Sequence, residues 1–187
     1  MKAWCVGMER YKGRPQDGEV RLAKEIRVYD YLDGLHVEYE HVDHEAAMTM
    51  EVCEEIDKVL DAAICKNLFL CNRQETEFYL LLMPGDKKFK TKDLSAQIGS
   101  SRLSFAKDEY LEKYLDLTPG SVSVMGLIND EEKKVHLIVD EDVLREEYIG
   151  FHPCINTSSI RFRTRDLMGV ILPDLGYEAT IVKSNSL

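Results

Sequence analysis

A chain of 187 residues, 44% of them hydrophobic, is long enough for one well-cored domain and short for two. Its 34 acidic side chains against 24 basic ones leave a net charge of −10, which argues against a general nucleic-acid coat protein and against docking on an anionic membrane, though not against a local basic patch. No apolar run approaches the ~20 residues of a membrane span and residues 1–7 lack a signal peptide's apolar stretch, so a cytoplasmic protein with reduced thiols is expected.

Residues 1–19, with Arg10, Lys12, Gly13, Arg14, Pro15, Asp17 and Gly18, form a polar lead-in without periodicity, either an ordered arm or a frayed tail. From residue 20 to 187 one unit is expected. Leu22, Ile26, Tyr29 and Leu32 recur at helical spacing, with Asp33 and Gly34 as the stop. Residues 36–42 alternate like a half-buried strand. Thr49 then reads as an N-cap, with Glu51 in the first turn of a helix through Val52, Ile56 and Leu60. His41 and His44 nearby read as polar residues at a strand end. With no Cys-x-x-Cys and no His-Glu-x-x-His pattern, no metal is expected.

Residues 62–71 are an apolar run of strand length with Lys66 and Asn67 in its middle. An ammonium among apolar neighbours loses hydration, so it either snorkels to a rim or faces an anion. Residues 77–83 are a second apolar strand, joined to the first by a polar turn at Asn72, Arg73 and Gln74. Lys87, Lys88, Lys90 and Lys92 cluster ahead of a short helix, and Arg102 and Lys107 flank a strand-like piece at 103–105. This concentrated basic stretch is either a solvated loop or a phosphate-tracking patch. Residues 108–115 read as a helix. The loop after Thr118-Pro119-Gly120 suits backbone amides approaching a ligand, or an ordinary connection. A strand at 135–139 and a short helix opened by Asp140, Glu141 and Asp142 follow. After His152, residues Ile160, Phe162 and Thr164 alternate as a strand against Arg161, Arg163 and Arg165. Residues 166–172 read as helix, 173–176 as its break and 179–182 as a last strand. The interleaving predicts a single mixed α/β domain: a twisted, mostly antiparallel mixed sheet with flanking helices.

Three of these stretches form a set. Ile64-Cys65-Lys66-Asn67-Leu68, the run from Thr118-Pro119-Gly120-Ser121-Val122-Ser123-Val124 to Asp130, and Phe151-His152-Pro153-Cys154-Ile155-Asn156-Thr157 together resemble the YbaK-type aminoacyl-tRNA deacylase family. The closest likeness is to its free-standing prolyl-tRNA-synthetase-associated editing proteins, the PrdX-like alanyl-tRNA-Pro deacylases. The likeness runs from about Arg21 onward in motif order and spacing. It implies a YbaK/prolyl-tRNA-synthetase editing-domain fold over residues 20–187 and trans-editing hydrolysis of the ester that joins a wrongly attached alanine to the 3′ end of proline tRNA. The family's lysine falls on Lys66, its Gly-x-x-x-Pro motif on Gly120 to Val124 with valine in the proline position, and its His-Pro-x-x-Asn-Thr segment on His152 to Thr157. The implied partners are the 3′ acceptor end of aminoacylated proline tRNA and, in trans, prolyl-tRNA synthetase, with no cofactor, membrane or DNA.

An aminoacyl ester is already activated, so the chemistry asks for positioning, which can supply effective molarities of about 10⁵–10⁸ M, more than for a nucleophilic side chain. On this reading Lys66 is the catalytic candidate, gripping the terminal phosphate or an ester oxygen. Asn67 beside it is a substrate-binding candidate, and the amides of Gly120, Ser121, Val122 and Ser123 orient the carbonyl. The resemblance adds the substrate's 2′-hydroxyl as a helper in activating water. His152 and Asn156 shape the pocket or bind the nucleotide, His152 being equally readable as a structural histidine. Lys87, Lys88, Lys90, Lys92 and Arg102 are the candidate tRNA patch. Three other readings stand beside this one: a cysteinyl-tRNA-Pro deacylase, a non-catalytic aminoacyl-tRNA or amino-acid-binding regulator, and a thiol enzyme using Cys65 or Cys154 with His152 as base.

Overall fold

Two strands dominate the chain's middle, β3 (Ala63–Cys71) and β4 (Phe78–Pro84), paired antiparallel over their whole length from Cys65↔Pro84 to Cys71↔Phe78. In this computed structural model, which describes residues 8–46 and 50–183, they are joined by β1 (Tyr11–Lys12), β2 (Tyr39–Asp43), β5 (Ser104–Phe105), β6 (Val135–Asp140), β7 (Tyr148–Phe151), β8 (Ser158–Arg163) and β9 (Thr180–Val182). The sheet order is β1-β2-β8-β7-β3-β4-β6-β9, with β5 on β3 as well. Five of the eight pairings are antiparallel and three parallel, so the mixed, mostly antiparallel α/β sheet expected above is what forms. Helices α1 (Ala23–Gly34), α2 (Met50–Leu60), α3 (Thr91–Ile98) and α4 (Asp108–Leu115) flank it. The Thr49 cap and the Glu51 side chain lie outside the described residues. Among the described residues no helix is long and apolar enough to cross a membrane.

β4 is buried on both faces, which is why it reads as a continuous apolar run. Phe78, Leu80 and Leu82 join the larger core with Val28, Tyr29 and Leu32 of α1, while Tyr79, Leu81 and Met83 join a smaller one under Leu94 of α3. β3 splits the same way: Cys65, Phe69 and Cys71 face the larger core and Leu68 and Leu70 the smaller. Lys66 follows the second set by alternation and sits opposite buried Met83, but its own side chain is exposed and carries its ammonium to the Lys87 carbonyl. The cost of a charge among apolar neighbours is thereby avoided.

Several boundaries differ from the sequence reading, each for a local reason. The lead-in is an ordered arm: Tyr11 and Lys12 pair with β2, the Gly13 amide donates to the Tyr39 carbonyl, and Arg14 reaches Asp30 and Asp33. In α1 the buried face is Glu25, Val28, Tyr29 and Leu32, whereas Leu22 and Ile26 are exposed; the Glu25 carboxylate is accommodated by Arg21 and the Tyr29 hydroxyl. β2 starts at Tyr39, because His36 takes a left-handed turn (φ 56°) after the helix. At the other end, Thr164 and Arg165 leave the strand and begin a helical segment, Thr164–Asp166, Leu167–Ile171 and Leu172–Leu175. Its middle is a π-turn, and Pro173 continues the helix just beyond, where the shifted ladder spares the N–H that proline lacks. The break comes at Gly176 instead.

α2 is anchored at its C-terminus, where Arg10 donates to the Leu60 carbonyl (2.9 Å) and Arg161 to that of Asp61 (2.5 Å). Cations there satisfy orphan carbonyls and complement the helix dipole. The seat brings Leu60 and Ile64 over Gly150 so closely that a Cβ at Gly150 would lie 2.5 Å from Ile64 Cδ1 and 2.8 Å from Leu60 Cδ2.

Candidate active site

β3 holds the site because one of its edges is left open. β7 pairs only with Ala63 and Ile64, and β5 only with Leu70 and Cys71, so the edge at residues 65–68 has no strand partner. A cavity of about 270 Å³ opens there, lined by Ile64, Cys65, Asn67, Gly120, Val122, Gly150, Phe151, His152 and Ser159.

Asn67 is clamped. Its Oδ1 accepts the Val124 N–H at 2.9 Å and its Nδ2 donates to the Cys65 carbonyl at 3.1 Å, which fixes the amide's orientation and leaves the second Nδ2 hydrogen free. Val124, at the position where the motif has proline, is therefore an asset: proline has no N–H to give. Gly120 takes φ +87°, a conformation costly for other residues, and the loop it opens is braced from within. The Ser121 hydroxyl donates to the Thr118 carbonyl (2.9 Å), the Ser121 amide bonds the same carbonyl, and the Ser123 hydroxyl caps Met125. Both serine side chains are buried and spent on the loop. The Gly120, Val122 and Ser123 amides have no partner among the described residues.

His152 donates Nδ1–H to the Ser158 carbonyl at 2.9 Å, and its ring centroid lies 6.1 Å from that of His44. Burial holds His152 below the usual imidazole range, and burial together with neighbouring His152 does the same to His44. Both rings are neutral at pH 7. The unfolded chain takes up these protons near pH ~6.5 and the folded one only at lower pH, so stability must fall as pH drops through that window. The urea midpoint is expected to fall between pH 7 and pH 5.5, and to fall less in His152→Asn, whose amide can keep the bond to Ser158.

The expected residues therefore separate. Asn67, Gly120, Val122 and His152 line the cavity, while Ser121 and Ser123 turn away. Asn156 is exposed, its Nδ2 lying 3.9 Å from the point where a Gly120 Cβ would be. Lys66 lies outside the lining, with its ammonium on the Lys87 carbonyl at 2.8 Å. That carbonyl belongs to the loop after β4, which is tied to the cavity wall by the Gly85 amide on the Ile64 carbonyl (3.0 Å). The basic stretch is thus beside the site, but Lys87 is not a free cation in it. Its ammonium bonds Asp140 Oδ1 (2.9 Å) and Asp142 Oδ2 (2.5 Å), holding the Asp142 carboxyl below the usual range. Lys88, Lys90, Lys92 and Arg102 are exposed, with no ion pair among the described residues.

The thiols are unsuited to nucleophilic work. Burial, with Glu146 adding to it, pushes Cys65 up to about 12, and burial pushes Cys154 to the same value. Cys65 bonds only the Ala63 carbonyl, and Cys154 is packed in the larger core without an imidazole partner. Ser159, Gly150 and Phe151 were missed in the sequence reading. The period-2 pattern placing Arg161 and Arg163 on one face of β8 runs back to Ser159, and that was the available signal.

The aminoacyl-tRNA editing domain model matches residues 44–170. Among curated proteins, the prolyl-tRNA editing protein ProX of Acetoanaerobium sticklandii is 35% identical over 75% of this chain and 85% of its own. The prolyl-tRNA synthetase associated domain-containing protein 1 of Danio rerio is 26% identical over 80% of each. A crystal structure described as that of a candidate trans-editing enzyme for prolyl tRNA synthetase superposes with a TM-score of 0.66 at 17% identity, over 89% of this chain and 100% of that one, a likeness of fold.

Proposed function

The chain belongs to the aminoacyl-tRNA editing domain family and is a hydrolase of the aminoacyl-tRNA ester in prolyl-tRNA editing; from that premise we propose that its substrate is alanyl-tRNA-Pro, cleaved in trans. The observation that carries the proposal is the cavity on the open edge of β3, lined by a clamped Asn67 amide, by Gly120 and Val122 with their unpaired amides, and by apolar walls.

In this reading the alanyl ester enters with its methyl group toward Ile64, Val122 and Phe151. The free Nδ2 hydrogen of Asn67 and the amides of Gly120 and Val122 receive the ester carbonyl oxygen and stabilise the charge that develops on it. Water is the nucleophile, since both candidate thiols stay protonated, and the substrate's 2′-hydroxyl assists it. Lys66, at the rim, meets the phosphate of the terminal adenosine, and Asn156 lies at the mouth beside Gly120. Lys88, Lys90, Lys92 and Arg102 carry the acceptor stem toward the site. Proline is rejected by size. Glycine would enter, because excluding something smaller than the true substrate gains only about 1–3 kcal/mol per methylene, and serine would enter because an apolar pocket rejects an added hydroxyl only weakly.

Single-turnover deacylation of alanyl-, cysteinyl- and prolyl-tRNA-Pro tests this. The wild type should hydrolyse the alanyl ester fastest and spare the prolyl ester. Lys66→Ala should be slower by about 10- to 150-fold, the value of a charge-assisted hydrogen bond of ~1.5–3 kcal/mol. Faster loss of cysteine than of alanine would reassign the substrate. Binding of tRNA with no hydrolysis above the buffer rate would leave a regulator.

A further inference from the structure

We propose that Ser159 and His152 form a paired hydrogen-bond acceptor for the α-ammonium of the aminoacyl group, so that the site takes esters with a free amine and refuses N-acylated ones; this rests on the cavity being the aminoacyl-ester site. The inference comes from following the protons. His44 Nδ1 lies 2.7 Å from the Glu45 carbonyl, which can only accept, so Nδ1 carries the hydrogen. In a neutral ring Nε2 is then bare, and it sits 2.9 Å from Ser159 Oγ. Ser159 must donate to it. With its one proton spent outward, the Ser159 hydroxyl offers the cavity lone pairs only.

The same reasoning applies to His152. Its Nδ1–H is taken by the Ser158 carbonyl at 2.9 Å, leaving Nε2 as a bare acceptor with no partner among the described residues. Two cavity-lining groups with donor chemistry available to them are therefore both fixed as acceptors. Among the described residues no aspartate or glutamate lines the cavity, so a positive charge bound there is held by neutral acceptors at fixed positions. An α-ammonium brings three N–H donors and no lone pair, the complement of that wall; an amide nitrogen, as in a peptidyl or formylated aminoacyl group, brings one donor and added bulk. His44 touches no substrate in this scheme and is a positioning residue, setting the Ser159 proton.

The test compares alanyl-tRNA-Pro with N-acetylalanyl-tRNA-Pro in single turnover. The wild type is expected to favour the free amine by at least about tenfold, the lower end for a hydrogen bond to a charged group. Ser159→Ala should lose that margin through a slower rate on alanyl-tRNA-Pro alone, Ser159→Thr should retain it, and His44→Phe should reduce it by releasing the Ser159 proton. An equal loss on both esters in Ser159→Ala, or no loss on either, would overturn the acceptor pair while leaving the editing assignment standing. Failure of the wild type to hydrolyse either ester would instead remove the editing assignment, and the acceptor pair with it.

Discussion

Asn67→Ala should slow single-turnover hydrolysis of alanyl-tRNA-Pro by about 10²–10³-fold, the loss typical of removing one preorganised donor to a developing oxyanion. The size of the effect follows from how little freedom the Asn67 amide has. Val124 N–H occupies Oδ1 and the Cys65 carbonyl occupies one Nδ2 hydrogen, so the remaining hydrogen points in a direction set before substrate arrives. A donor that does not reorganise is worth more than one that must be recruited from solvent. Asn67→Asp separates this from a packing effect. The carboxylate still accepts from Val124, but it sets a negative charge where the oxyanion forms and loses the donor, so it should be at least as slow as alanine. Rapid-quench measurement at saturating enzyme reads both. A rate for Asn67→Ala within threefold of the wild type would move the carbonyl contact to the loop amides alone.

The pairing of β3 with β4, the α4 boundaries and the position of α3 were legible because they rest on local signals: apolar runs of strand length, a polar turn, and breakers at Pro84-Gly85 and Thr118-Pro119-Gly120. Asn67 and Gly120 were legible through the motif likeness. What was hidden depends on long-range geometry. Nothing local reveals that β7 and β5 each cover only one end of β3, yet that gap makes the cavity. Ser121 and Ser123 have the composition of a ligand loop, but hydroxyl groups next to unpaired backbone capture it first, and here they brace the turn. Lys66 was correctly seen as unusual for an apolar strand. Its exposed ammonium is held by the Lys87 carbonyl of the loop after β4, a contact that one strand's sequence does not contain.

Lys87 shows the same limit with the largest consequence for stability. In sequence it is the first of four lysines in a surface run, and in the fold its side chain is only 10% exposed and paired with Asp140, which is fully buried at 0%. Lys87→Met would take the ammonium from the buried Asp140 carboxylate, which keeps the Asp142 N–H, and breaking one side of a buried pair costs about 3–5 kcal/mol. For a chain of this size ~1 kcal/mol is worth about 2–4 °C, so the thermal midpoint should fall by about 6–20 °C. The double variant Lys87→Met/Asp140→Leu should recover most of that, since an apolar pair of similar volume leaves no unpaired charge. Proline-tRNA binding discriminates further. Below its own melting range, Lys87→Met should keep the wild-type salt dependence, whereas Lys88→Ala/Lys90→Ala should flatten the log–log slope by about 0.7 per lost phosphate contact. A flattened slope in Lys87→Met with an unchanged midpoint would return Lys87 to the tRNA surface. A lowered midpoint with an unchanged slope leaves it bracing the loop whose carbonyl at the same residue holds Lys66 at the mouth of the site.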